Sequence, residues 1–299
     1  MPRHSLVLDA PLDLTRTLAI HRRGNGDPTM RLIGRHVIRA TRTGDGPATI
    51  DLVVRGDRLE AEAWGPGADR ALAAVPALVG LDDDRTGFVP RHHPTVAELD
   101  RRNQGIRFGR TDAVIESLLP AVLEQKVTGR EAWRGYQGLV RRWGEPAPGP
   151  FGLWLAPAAA VVATIPYHEL HPLGIERRRA DLLRRVAGHA RRLEEIVTMP
   201  REAGYRRLRA VPGIGPWTAA EVALRALGDP DAVSVGDFHL PNLVAFALAG
   251  EIRGDDARML ELLEPWRGHR ARVIRLLELG GPRPPAFGPR YAPRSIAAI

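Results

Sequence analysis

Leu208-Arg209-Ala210-Val211-Pro212-Gly213-Ile214-Gly215-Pro216-Trp217-Thr218-Ala219 is the stretch on which the reading of this chain turns. It sets two glycines in a tight turn between a short helix and an apolar helix running through Val222, Leu224 and Leu227. Glycine permits both the backbone conformation of such a turn and the close approach of another chain. The first amides of the second helix are then left unpaired and point outward, where a phosphate oxygen can accept them at the positive end of the helix dipole. That is a sequence-independent grip on a DNA backbone, with Gly213, Gly215 and Thr218 as its candidate contacts.

Nineteen residues beyond Thr218, the segment Val233-Ser234-Val235-Gly236-Asp237-Phe238-His239-Leu240 puts an aspartate at the opening of the next helix, after a glycine-containing loop. Taken alone, Asp237 reads as an ordinary helix N-cap. Taken with the hairpin, the pair resembles the helix-hairpin-helix DNA glycosylase superfamily, and within it the bacterial 3-methyladenine DNA glycosylase II type. Leu123-Glu124-Gln125-Lys126-Val127-Thr128 and His171-Pro172-Leu173-Gly174-Ile175-Glu176 match that pattern too.

The resemblance implies an α+β fold: a small N-terminal antiparallel β-sheet domain with one or two helices, then a mostly α-helical, two-lobed helix-hairpin-helix domain. The residue pattern divides in the same way. Leu6-Val7-Leu8, Arg35–Thr41, Ala48–Val54 and Leu59–Trp64 are β-like runs separated by the turn clusters Gly24–Pro28 and Thr43–Pro47. Residues 69–79 read as a helix ending at Gly80, which closes a unit over 1–90. From there the period is helical over 91–280, with the hairpin at 204–228. Thr111-Asp112 is the expected cap of a helix through Val114, Ile115, Leu118 and Leu119, and Glu176–Met199 is the clearest amphipathic stretch. A Pro/Arg-rich tail over 281–299 is expected to be poorly ordered.

The chemistry that the resemblance implies is hydrolysis of an N-glycosidic bond. Positive charge builds on the sugar as the bond breaks, so a nearby carboxylate stabilises the transition state and orients water; Asp237 is the catalytic candidate. Strand-cutting members of the family carry a lysine amine where this chain has Trp217, and tryptophan cannot form a Schiff base. A monofunctional enzyme without lyase activity is therefore expected. Trp217, Phe238, Glu221 and Arg275 are the expected base-pocket residues, and an aromatic wall attracts a cationic alkylated purine. Glu221 and Arg275 stand where the glycosylase II type has aromatics. They either pair with each other, or Glu221 attracts a cationic base or lies on the solvated side of its helix. Gln125 and Lys126 occupy the family's wedge position, with Lys126 alternatively on phosphate or on a solvated turn; His239 is a phosphate contact or a cap. The resemblance further implies a structural Na+ or K+ on the backbone carbonyls of Arg209, Val211 and Ile214, and no required cofactor.

Composition sets the outer limits. The 299 residues carry 43 basic and 35 acidic side chains, a formal net charge of +8 that favours an anionic partner. Lys126 is the single lysine, and coding bias towards arginine explains this most simply. With no cysteine there is no disulfide, thiolate nucleophile, cysteine-ligated zinc or iron–sulfur cluster. His92-His93, His168 and His171 lack the spacing of a metal site. Asp9, Pro11 and Asp13 interrupt any apolar leader and the longest apolar runs are too short for a bilayer, so a cytoplasmic chain without membrane contact is expected. The expected function is a monomeric base-excision-repair glycosylase acting on alkylated purines (3-methyladenine class) in double-stranded DNA. The alternatives are a glycosylase for oxidised or deaminated bases, and a non-catalytic damaged-DNA-binding protein.

Overall fold

Leu59, Ala61 and Ala63 are buried while Glu60, Glu62 and Trp64 between them are partly exposed, the two-residue period of a half-buried strand. In the computed structural model, which describes residues 2–285, that strand belongs to a five-stranded antiparallel sheet. The strands are β1 (Arg3–Val7), β2 (Met30–Ile33), β3 (His36–Thr43), β4 (Gly46–Arg55) and β5 (Arg58–Trp64), in the order β1-β5-β4-β3-β2. Leu52 of β4 faces Val37 on one side and Ala61 on the other, which aligns the apolar face of the three central strands. The short β2 has no counterpart among the runs read from the sequence. The helices Leu14–Leu18 and Ala68–Ala73 cover the apolar face through Leu14, Leu18, Ala71 and Leu72.

Where the sequence predicts one helix over 69–79, the chain makes two, Ala68–Ala73 and Val75–Leu78. Pro76 is the cause: it donates no amide hydrogen bond and its ring collides with the preceding turn. The proline/arginine tail read over 281–299 lies, from residue 286 on, outside the described residues.

Apart from a two-stranded ribbon of Glu145–Pro146 and Trp154–Leu155, the regular structure in the rest of the described chain is helical, and it has two main apolar centres. One gathers Leu118, Leu123, Leu139, Leu183 and Val222; the other gathers Val96, Leu243, Met259, Leu263 and Leu277. A patch of Phe108, Ala220, Ala223, Ala232 and Ala271 joins the second hairpin helix, Pro216–Ala226, to the helix Arg270–Gly280. The segment carrying Asp237 therefore crosses from one lobe to the other.

Two helix ends differ from expectation for physical reasons. In Val114–Leu123 every residue except Glu116 is buried, and its first amides are capped from a distance: Glu194 accepts Val114 N and Ile115 N, each at 2.8 Å. Thr111 reaches only Ala113 N, and Asp112 sits at φ +50°. Burial raises the Glu194 carboxyl pKa, against the lowering effect of those two hydrogen bonds. The amphipathic stretch breaks at Gly188 and His189 into Arg177–Gly188, Ala190–Glu194 and a 3-10 turn, Glu195–Thr198. Within it Arg179 is 5% exposed and donates to Leu123 O and Gly174 O, so this arginine closes the end of a neighbouring helix. No described helix is long and apolar enough to cross a membrane.

Candidate active site and DNA interface

The hairpin forms as its sequence directs. Helix Arg201–Arg209 ends, the chain turns over Val211–Gly215, and Pro216 opens the next helix with Gly215 as its N-cap. Proline suits that first position, where no amide is needed. Gly213 has φ +103°, and a β-carbon there would stand 3.0 Å from a methyl of Leu182. Gly215 is different: its φ is −90°, and a β-carbon would meet nothing within 4 Å. The first glycine is demanded by the protein itself, whereas the second keeps the outer surface bare.

Three side chains brace this turn. Arg185 donates to Pro212 O at 2.7 Å, and Gln125 donates through Nε2 to Gly213 O at 3.1 Å and to Thr218 Oγ1 at 2.9 Å. Ile214 N is closed onto Val211 O at 3.0 Å. The amides of Gly213 and Gly215, by contrast, find no protein acceptor among the described residues. Thr218 is only 2% exposed, so its hydroxyl serves Gln125 from inside the turn. With the Gln125 amide held by the hairpin, Lys126 is the member of the wedge pair that stands exposed, at φ +56°. A left-handed backbone at a lysine is uncommon and costs on the order of 1 kcal/mol.

Asp237 takes the cap role and is bonded to the hairpin as well. Oδ1 accepts His239 N at 2.7 Å and Leu240 N at 3.0 Å, capping the helix Leu240–Ala249. Oδ2 accepts the indole Nε1 of Trp217 at 3.0 Å, which ties the carboxylate to the hairpin across twenty residues. Gly236, at φ +93°, donates its amide to Asp256 and so turns the chain into the cap. Three donors thus fix the carboxylate orientation, and Trp217 remains half-buried beside it.

The other expected pocket residues are placed less simply. Phe238 is 84% exposed with its ring edge-on to His239 at 5.0 Å, so it lies on the outer surface and forms no pocket wall here. The reason is alternation: with Asp237 anchored inward by three bonds, its neighbour points out. Glu221 lies one helical turn after Trp217 and is neither solvated nor paired with Arg275. Its Oε2 contacts Arg225 at 2.5 Å and its Oε1 accepts Ser234 Oγ at 2.6 Å. Arg275 donates instead to Arg16 O at 3.1 Å and sits 3.5 Å from Glu278. Arg225 and Ser234 went unread in the sequence, although Glu221 and Arg225 stand at the i, i+4 spacing of a helical ion pair. Among the described residues no group of three or more His, Asp or Glu is arranged for a metal ion.

No family model matches the chain. It is 31% identical over 175 residues to the probable bifunctional transcriptional activator/DNA repair enzyme AlkA of Mycobacterium tuberculosis, covering 57% of this chain and 35% of that protein. The chain thus spans about a third of the length of that relative. In fold it is similar to the 3-methyladenine DNA-glycosylase of Archaeoglobus fulgidus, with a TM-score of 0.78, 19% identity, and coverage of 93% of this chain and 97% of that one. It is also similar to the 8-oxoguanine glycosylase/lyase of Clostridium acetobutylicum, with a TM-score of 0.72, 12% identity, and coverage of 93% and 96%. With a sheet layer, two helical lobes, and a glycine hairpin bonded to an aspartate at the next helix start, the chain is similar in fold to these DNA glycosylases and in sequence to part of the M. tuberculosis DNA repair enzyme.

Proposed function

We propose that this protein is a monofunctional DNA glycosylase that hydrolyses the N-glycosidic bond of a damaged purine in double-stranded DNA, as a monomer in the cytoplasm. The observation that carries the reading is the Trp217–Asp237 bond, which holds a carboxylate against the hairpin that faces DNA. The Gly213 and Gly215 amides take backbone phosphate, Lys126, His239 and the outward ring of Phe238 meet the duplex nearby, and the target nucleotide leaves the stack. Cleavage leaves an oxocarbenium-like sugar, which the Asp237 anion stabilises while water adds. Trp217 offers no amine, so the abasic strand stays intact. The carbonyls of Arg209, Val211 and Ile214 supply the oxygen donors that a Na+ or K+ would need; Val211 O accepts one amide and keeps a lone pair.

Alkylated purines are the first lesion class. The Trp217 ring and the name of the A. fulgidus protein support it. A second class, oxidised or deaminated purines, is favoured by one observation, the salt-bridged Glu221–Arg225 wall in place of an aromatic one. The test is base release by excess enzyme from methylated duplex DNA, wild type beside Asp237→Asn. Release by wild type alone, with uncut strands, is expected. Binding of DNA without release of any damaged base, alkylated, oxidised or deaminated, would overturn the reading.

A further inference from the structure

The turn that carries Asp237 is tied to the helix Pro216–Ala226 at two points. Asp237 N closes the turn on Ser234 O at 3.2 Å, with Gly236 in the third place at φ +93°, so Ser234 and Asp237 move as one unit. At one end of that unit Asp237 Oδ2 accepts the Trp217 indole N–H. At the other, Ser234, only 3% exposed, donates its hydroxyl to Glu221 Oε1 at 2.6 Å. Trp217 and Glu221 stand one helical turn apart, a span of about 6 Å. A single anchor leaves a hinge, whereas two anchors at that spacing fix both the place and the tilt of the carboxylate.

Glu221 serves as an anchor only while its own carboxylate is fixed, and Arg225 fixes it. Arg225 Nη1 donates to Glu221 Oε2 at 2.5 Å and to Glu221 O at 3.1 Å, and Nε donates to Ile20 O at 3.0 Å. Ile20 lies in the 3-10 turn Ala19–His21, directly after the helix Leu14–Leu18 that packs on the sheet. Hydrogen bonds thus run without a gap from the N-terminal layer through Arg225, Glu221 and Ser234 to the Asp237 turn. The Glu221 and Arg225 side chains are each 13% exposed, and polar contacts shielded from water in this way are the stronger for it. We propose that Ser234 is a positioning residue for base release, through which the Glu221–Arg225 pair sets where the Asp237 carboxylate stands against the developing positive charge. This rests on the glycosylase reading of Asp237. Electrostatic stabilisation needs a charge already in place, and a displacement of about 1 Å costs up to about 10²-fold in rate. Grip on undamaged duplex, which the Gly213 and Gly215 amides supply, does not pass through Ser234.

The test is single-turnover base release at saturating enzyme, measured beside affinity for undamaged duplex and the thermal unfolding midpoint. Duplexes holding 7-methylguanine, 8-oxoguanine or hypoxanthine at one position are compared, and the base that wild type releases fastest is used. Ser234→Ala is expected to release it about tenfold or more slowly, with duplex affinity within about twofold of wild type. Ser234→Thr, which keeps the hydroxyl, is expected to recover most of that rate. In Glu221→Leu with Arg225→Met the hydroxyl has no carboxylate acceptor and no charge is orphaned, so release is expected to be about tenfold down already, and adding Ser234→Ala to change it by less than about twofold. If Ser234→Ala does not fold, that double variant, with Ser234 intact, decides by its rate against its affinity. Release at the wild-type rate by the deciding variant, or a further tenfold loss when Ser234→Ala is added to the double variant, overturns the inference and leaves the glycosylase reading intact. A rate that falls only together with duplex affinity and the unfolding midpoint makes Ser234 a structural residue and overturns it too. No release of any of the three bases by wild type overturns the glycosylase reading, and the inference with it.

Discussion

The hairpin bonded to Asp237 and the charged wall one turn away meet on the helix Pro216–Ala226, yet they are built on different principles. At the hairpin the chemistry belongs to the backbone: a glycine at positive φ, two free amides, a helix start. At the wall it belongs to charged side chains tied to distant segments: the Glu221–Arg225 pair to Ser234 and the Ile20 carbonyl, Arg275 to the Arg16 carbonyl, Arg23 to Glu124. Local backbone chemistry tolerates little substitution but is cheap to form. A buried charge network is costly to desolvate and holds only while every partner is present. Perturbing each region in turn should therefore give opposite signatures, activity without stability at Asp237 and stability first at Glu221.

The largest effect is expected at Asp237. Asp237→Asn removes the negative charge and keeps an oxygen for the His239 and Leu240 amides but turns its NH2 towards the Trp217 indole N–H, so release should fall by about 10³-fold with only a small drop in the unfolding midpoint. Asp237→Ala should show the same loss plus about 1 kcal/mol of lost cap, read by urea denaturation. Equal destabilisation by both variants would reduce Asp237 to a cap.

At the wall the order reverses. Glu221→Ala leaves Arg225, 13% exposed, without its carboxylate and should cost about 3 kcal/mol in urea denaturation. Replacing both partners, Glu221→Leu with Arg225→Met, should recover much of that loss, because removing a buried pair together spares the orphaned charge. A double variant no more stable than Glu221→Ala would show that the pair is not acting as a unit.

The two hairpin glycines separate on a smaller scale. Gly213→Ala forces a β-carbon onto Leu182 at φ +103° and should destabilise by about 1–3 kcal/mol. Gly215→Glu has open space and an ordinary φ, so the fold should be unaffected while a negative charge meets phosphate. Fluorescence anisotropy should record affinity about five- to tenfold lower, alike for unrelated duplex sequences. Unequal losses across sequences would break the assignment of Gly215 to the backbone.

What was legible in the sequence divides along the same line. The hairpin and the Asp237 helix start depend on i to i+3 relations, and the β5 alternation on a period of two, so neighbouring residues encode them. Pro76 splitting its helix was readable by the same local rule. The cap on Val114 was not, because Glu194 supplies it from 80 residues away, and the Thr111-Asp112 pair offered a sufficient local answer. Phe238 was misplaced because aromatic identity says nothing about which way a side chain points once its neighbour is anchored. His21 carried no signal at all: its environment is made by Arg23, Arg39, Arg225 and Arg275, which only the folded chain gathers.

That environment makes the smallest effect the most diagnostic. His21 is held below the ordinary value of 6.5 in the folded protein, whereas the unfolded chain takes up its proton near that value. As pH falls through 6.5 the unfolded state therefore binds more protons, and stability is lost in that direction at up to about 1.4 kcal/mol per pH unit. The carboxylates around the ring act differently. Burial raises the pKa of Glu278, so this group contributes stability as pH falls towards its own range, and it is present in both proteins compared. Subtracting the urea-denaturation profile of His21→Gln from that of wild type between pH 7 and 5 isolates the imidazole. A positive slope of the difference with pH is expected; a flat difference would mean that the ring is solvated like an ordinary surface histidine, and the charged wall would then end at Arg225.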